Sequence, residues 1–145
     1  MSVPVPLDEL SAALGRRSNA AYLLTVSDDA SAHCVASTVG WTGDELVVPA
    51  GATSLRNATA RGHVVLLAPP AGGLAALPPE PDGEGGGEEE GYSLIIDAEV
   101  TATFSGGGAA TGALRARPTH AVLHRPAVAA DGSPAHDCVH VFGKP

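Results

Sequence analysis

Aromatic residues are scarce in this 145-residue chain: Tyr22, Trp41, Tyr92, Phe104 and Phe142 make up 3% of it. A surface that stacks on nucleobases needs such rings, and one that grips a phosphodiester backbone needs clustered cations. Cations are scarce too, with 8 Lys and Arg against 16 Asp and Glu and a formal net charge of −8. Both shortages count against a nucleic-acid partner. Cys34 and Cys138 are the only cysteines, too few for a disulfide framework. No apolar run approaches the roughly 20 residues that span a bilayer. The opening "MSVPVPLDELSAALG" has no basic stretch followed by an apolar one, as a secretory leader would. These absences point to a cytoplasmic protein with reduced thiols and no membrane partner.

Hydrophobic residues make up 44% of the sequence, enough for one domain with a core built mainly from Val, Leu, Ile and Ala. The acidic excess is local. Residues 80–90, "EPDGEGGGEEE", carry six acids and no base, which leaves ten acids against eight bases elsewhere. The chain therefore reads as a single domain, 1–145, interrupted at about 70–91 by a flexible, solvated Gly/Pro-rich acidic loop.

"PLDELSAALGRR" has Leu7, Leu10 and Leu14 at helical spacing, acids first and Arg16 and Arg17 last, as a short amphipathic helix would. Strand-like runs follow: "AAYLLTVS", "AHCVASTVGW" and "LVVPAG", separated by turns at Asp28–Ser31 and "TGDE". "TSLRNATAR" breaks the period of two and reads as a helix, with Thr53 or Ser54 as its N-cap and Gly62 as its stop. "HVVLLAPP", "YSLIIDAEVTATF" and "ALRARPTHAVLHRP" are further strands, the last two joined by "SGGGAATG", and "HDCVHVF" alternates as a final one. Six or seven antiparallel strands with two short helices suggest a closed or partly closed barrel, which hides sheet edges that so short a chain cannot otherwise cover.

The helix start is the most informative stretch. Two hydroxyls, Thr53 and Ser54, precede Arg56 and Asn57, so free backbone N–H groups, the helix dipole and a guanidinium converge on a ready anion site. The plainer alternative is a capped helix with Arg56 in solvent. Arg61, in the last turn, reads as a surface residue complementing the dipole.

The run "YLLTVSDDASAHCVASTVGWTGDELVVPAGATSLRNATARGHVVLL" resembles the pyridoxamine 5′-phosphate oxidase family of FMN-binding split barrels, over roughly residues 6 to 105. The shared order is a "LLTV" strand, a turn, "HCVAS", a turn, "LVVPAG", then "SLRNA" and "HVVLL". Where the family often has Lys-x-Arg-Asn, this sequence has "SLRN", so Ser54 replaces the Lys while Arg56 and Asn57 match. The resemblance implies a mainly β, antiparallel split β-barrel that forms a homodimer. It implies FMN, or alternatively the deazaflavin F420, between the subunits, with its phosphate on Ser54, Arg56 and Asn57 beside Thr53. Ser37, Pro49 and Ala50 would lie against the ring, and His124 or Arg125 would reach the partner's cofactor. The activity implied is oxidoreductase chemistry on a small-molecule substrate. A non-catalytic flavin or haem binder, or a barrel without cofactor, is the alternative.

Other constellations have plainer readings. His136, Cys138 and His140 carry metal-ligand chemistry, but roughly 7 Å of strand rise between ligands favours a structural or surface role. His120 and His124 share a strand face, where a half-buried histidine bonded to a neighbour is the simplest role. Asp97 and Glu99 read as a solvent-facing stripe rather than an acid/base pair. Cys34 reads as a small apolar packing residue. No P-loop, G-x-G-x-x-G, H-E-x-x-H or G-x-S-x-G is present.

Overall fold

A computed structural model describes residues 2–71, 91–106 and 112–125. The expected final strand at 136–142, most of the acidic loop and the middle of the "SGGGAATG" turn lie outside these residues. The elements run β1 (Ser2–Pro4), a 3-10 turn (Leu7–Glu9), α1 (Leu10–Gly15), β2 (Ala20–Val26), β3 (Ala32–Thr38), β4 (Gly40–Thr42) and β5 (Glu45–Ala50). There follow α2 (Ala52–Arg61), β6 (His63–Ala68), β7 (Ser93–Phe104) and β8 (Gly112–His124). The strands form one antiparallel sheet in the order β3-β2-β6-β7-β8-β5-β4, and β1 pairs with the end of β8.

Thirteen-residue β8 organises the sheet. One edge pairs with β7 throughout, while the other serves β5 at Gly112–Ala116 and β1 at Val122–His124. Pro118 lies inside it and has no N–H for a ladder, which a strand tolerates only at an edge or a bulge. The register with β7 shifts there: Asp97 opposes His120 and Ala98 opposes Pro118, so Thr119 is extra. The Thr119 hydroxyl donates to the Asp97 carbonyl at 3.2 Å, satisfying the acceptor that the bulge disturbs. A second shift leaves Thr101 extra on β7. Bulges bend strands and increase twist, and the sheet curls until its two ends meet. The Ser37 hydroxyl on β3 donates to the Pro49 carbonyl on β5 at 2.8 Å, across that seam.

Alternation explains the core. Leu23, Leu46, Val48, Val64, Leu66, Leu94, Ile96 and Leu114 all point inward and are fully or nearly fully buried. Each such side chain contributes about 1.5–3 kcal/mol relative to exposure. The helix α1 adds Leu10, Ala13 and Leu14, at positions that share one helical face. Just beyond it Arg17 is buried, its Nη1 donating to Ala13 O at 2.9 Å and its Nη2 to Tyr92 O at 3.1 Å. The guanidinium thus pins the end of α1 to the entrance of β7, a deeper role than complementing a helix dipole.

Several expectations need correction. β1 has two prolines in and beside it, which hide its strand character, yet an edge position accommodates them. "AHCVASTVGW" is two strands, because Val39 is buried and its N–H donates to Asn19 O at 2.8 Å, turning the chain from β2 towards β5. Cys34 is exposed, on the outer face of β3. The cap of α2 is Gly51, with no side-chain hydrogen bond, and neither Thr53 nor Ser54 performs that role. Gly62 does stop the helix, in the left-handed region at φ 67°, its N–H donating to Ala58 O at 2.8 Å.

Replacing Arg17 by Met keeps its apolar stem but strands the carbonyls of Ala13 and Tyr92. A loss of about 2 kcal/mol follows from the usual strength of charge-assisted bonds. Equilibrium denaturation in guanidinium should show it as a lower midpoint with an unchanged slope.

Candidate functional site

The N-terminal turn of α2 sits between two grooves. Its first intrahelical bond runs from Leu55 N to Gly51 O at 3.0 Å, so the N–H groups of Ala52, Thr53 and Ser54 have no helical acceptor. No acidic side chain occupies the first turn, and the Gly51 cap makes no side-chain hydrogen bond to it. An uncapped positive helix end is thereby left beside both grooves.

The first groove, about 520 Å³ and open to solvent, runs along the seam between β3 and β5. It is lined by Val35, Ala36, Ser37 and Thr38 on one side and Pro49, Ala50 and Gly51 on the other. All are small or compact, so a flat ligand can approach the backbone closely. The Ser37–Pro49 hydrogen bond crosses this groove and holds its walls in place. Ser37, Pro49 and Ala50, expected together, are together.

The second groove, about 590 Å³, follows the face of α2 that carries Ala52, Leu55, Arg56, Thr59 and Ala60. These positions repeat at three and four residues and so form one stripe. Thr103, Ser105, Gly106 and Gly112, from the end of β7 and the start of β8, form the opposite wall. Thr59 donates to Leu55 O at 2.8 Å and its hydroxyl lies 3.3 Å from that of Thr103. A Cβ at Gly112 would collide with Leu55 and the Phe104 carbonyl, so a glycine is what lets β8 begin so near the helix. Arg56 is exposed and makes no hydrogen bond or ion pair among the described residues.

Of the other expected phosphate ligands, Asn57 and Ser54 are buried. Asn57 is 3% exposed, and its Nδ2 donates to Thr25 Oγ1 at 3.2 Å and Ser27 Oγ at 3.1 Å. It fastens α2 to the end of β2. Ser54 is 1% exposed and its hydroxyl has no partner among the described residues. Thr53 is half-buried on the same turn. Arg61 braces the neighbouring turn, with Nη2 donating to Ser27 O at 3.1 Å and lying 3.4 Å from Asp28 Oδ1. In that turn the Ser31 hydroxyl and backbone N–H hold the Asp29 carboxyl below its ordinary pKa.

His124 and Arg125 lie at the other end of β8 from Gly112, so one chain does not bring them to Arg56. His124 Nδ1 is 3.0 Å from Ser2 Oγ, and the Arg125 guanidinium stands 4.7 Å over the ring of Tyr92. Asp97 is flanked by His120, 3.3 Å away, and His63, 3.8 Å away, on the outer sheet face, and Glu99 is exposed there too. His136, Cys138 and His140 fall outside the described residues. Among those that are described, no cluster of three His, Cys, Asp or Glu could hold a metal ion.

No protein-family model and no curated protein matches the chain. Solved structures do. One of an F420 reductase is 16% identical, with 75% of this chain and 93% of that chain covered and a TM-score of 0.52. A candidate pyridoxamine 5′-phosphate oxidase from Listeria innocua is 15% identical, over 81% and 96%, with a TM-score of 0.53. An FAD-binding protein from Mesorhizobium loti is 9% identical, over 84% and 94%, with a TM-score of 0.55. The fold is the split β-barrel. At these identities the likeness is one of architecture, and at that level it agrees with the resemblance read from the sequence. In this split barrel the Gly51 end of α2 lies beside both grooves, and Arg56 lines the second.

Arg56 and Asn57 are neighbours with opposite tasks, and substitution separates them. Asn57→Ala should cost about 1–3 kcal/mol of stability, because it leaves the buried hydroxyl of Thr25 and the partly buried one of Ser27 without their donor. Arg56→Ala should stay within about 0.5 kcal/mol of the parent, as exposed substitutions do. Thermal and urea unfolding of the two variants side by side measures this.

Proposed function

We propose that this split barrel binds a flavin or deazaflavin, FMN or alternatively F420, and serves as an oxidoreductase for a small molecule. The observation that carries the reading is the convergence at Gly51. A seam groove of compact residues suits a flat ring, and the helix end beside it, with a guanidinium in the second groove that has no partner among the described residues, suits a phosphate. Ser37, Pro49 and Ala50 would lie along the ring. Arg56 and the N–H groups of Ala52, Thr53 and Ser54 would face the phosphate, and Thr59 would line the groove beyond. Ser54 then contributes its backbone rather than its hydroxyl, and Asn57 acts by fixing the helix. Such a cofactor supplies two-electron transfer to and from a substrate, and the chain contributes orientation and exclusion of water.

A second reading, a barrel that binds the same ligand without turnover, is favoured by one feature. Among the described residues lining the two grooves, Arg56 is the only ionisable side chain. None of the others there can hold or move a proton near neutral pH.

Fluorescence titration with FMN and with F420 tests the proposal. Binding at micromolar concentration or tighter, weakened at least tenfold (about 1.4 kcal/mol) by Arg56→Ala, is expected. If neither ligand binds, the cofactor reading is wrong. Turnover of an electron donor by the loaded protein then separates the oxidoreductase from the passive binder.

The cofactor reading implies a homodimer, and the outer face of the sheet offers a surface for one. Ala36, Tyr22, Leu67, Ile95 and Val122 stand directly opposite one another across β3, β2, β6, β7 and β8. Leu24, Val26 and Val65 widen this row, and Tyr22 is 45% exposed. An apolar face of this kind suits the self-complementary contact of a two-fold dimer. Sedimentation velocity should give twice the chain mass for wild type and a shift to monomer for Leu67→Arg. A wild type that remains monomeric at high concentration would overturn the dimer. A cytoplasmic location accords with the exposed Cys34 thiol.

A further inference from the structure

A third recess, about 450 Å³, opens between the 3-10 turn, the β4–β5 turn and the middle of β8. It shares no residue with the grooves at α2. Its volume falls within the range of small-ligand sites, which are mostly apolar with a few converging polar groups. Leu7, Trp41 and Pro118 provide apolar walls here, and Asp8, Asp44 and Arg117 provide charge. The Nε1 of Trp41 is buried, so the side chain can present only hydrocarbon to the recess. Leu7 is 46% exposed and so leaves apolar surface open at the mouth of the recess.

The charges are unbalanced. Arg117 Nη2 lies 3.7 Å from Glu45 Oε1, and its Nε lies 3.9 Å from Asp44 Oδ2. Both separations exceed the roughly 2.7–2.9 Å of a charge-assisted hydrogen bond. One guanidinium thus stands against two carboxylates, and Asp44 projects into solvent with 83% of its side chain exposed. Asp8, across the recess, makes no hydrogen bond or ion pair among the described residues. An anion entering here meets a net negative rim. A cation meets Asp8, which has no partner among the described residues, and Asp44, which Arg117 approaches only to 3.9 Å, with an aromatic surface beside them that attracts positive charge.

We propose that this recess binds a small organic cation, an ammonium group carried on a flat apolar body. The ammonium lies between Asp8 and Asp44, and the body lies against Trp41 and Leu7. Arg117 keeps Asp44 and Glu45 within reach without neutralising both.

Trp41 is the sole tryptophan of the chain, so its fluorescence reports on this recess directly. The experiment titrates the full chain with 2-phenylethylamine, and in parallel with 3-phenylpropionate and 2-phenylethanol, at neutral pH. The amine should change Trp41 emission saturably at submillimolar to low-millimolar concentration. The carboxylate should do nothing, and the alcohol should bind at least tenfold more weakly. The Asp8→Asn/Asp44→Asn double variant, whose substitutions are on exposed side chains, should weaken the amine about tenfold. Arg56→Ala should leave it unchanged, which separates this site from the cofactor grooves. No saturable change up to ten millimolar amine overturns the proposal. So does equal binding of all three probes, or binding that the double variant leaves intact.

Discussion

β7 and β8 are 12 and 13 residues long, and twice along their shared ladder one strand carries a residue that the other does not match. Pro118 makes the first mismatch necessary, because a proline within β8 has no N–H to give. A straight ladder of that length would leave a flat sheet with two open ends. The bulges bend it, and the bend brings β3 to β5. The core, the seam and both grooves beside α2 follow from that curvature. Helix α2 plugs the curled sheet with Leu55 and Ala58, and only the residues of its outward stripe remain available to a ligand.

Charge placement follows the same geometry. Arginines elsewhere are engaged: Arg17 in the core, Arg61 on the β2–β3 turn, Arg115 over Phe104, Arg117 beside the β4–β5 turn and Arg125 over Tyr92. Arg56 differs from these in facing a groove with no partner among the described residues. In a protein so poor in cations, an uncommitted guanidinium next to an uncapped helix end is a specific arrangement. A positive charge there is not needed to hold the fold.

The barrel was legible in the sequence wherever alternation was clean. β2, β5, β6 and β7 each show buried residues at every second position, and Gly62 marks the helix end as its conformation requires. β1 was hidden by its prolines. The break at Val39 depends on a backbone bond to Asn19, for which no local pattern exists. At the site, Arg56 and the Ser37–Pro49–Ala50 set were readable because each lies in a continuous stretch. Which way Ser54 and Asn57 face was not, since it turns on the cap being Gly51 rather than a hydroxyl residue two or three places later. Thr59, Thr103, Ser105 and Gly112 were missed for a different reason. They meet only after β7 and β8 have folded back on α2, and a lone threonine or glycine carries no sign of that.

The seam bond between Ser37 and Pro49 joins β3, at one end of the sheet, to β5, next to the other end, yet its residues are only twelve apart in the chain. Contacts over such short separations close on the order of 10–100 ns and cost little loop entropy. The last gap of the barrel in space is therefore among its most local in sequence. The compact wall of the seam groove can assemble from β3, β4 and β5 before the pairing of β6 with β7, across the acidic insertion, has been made.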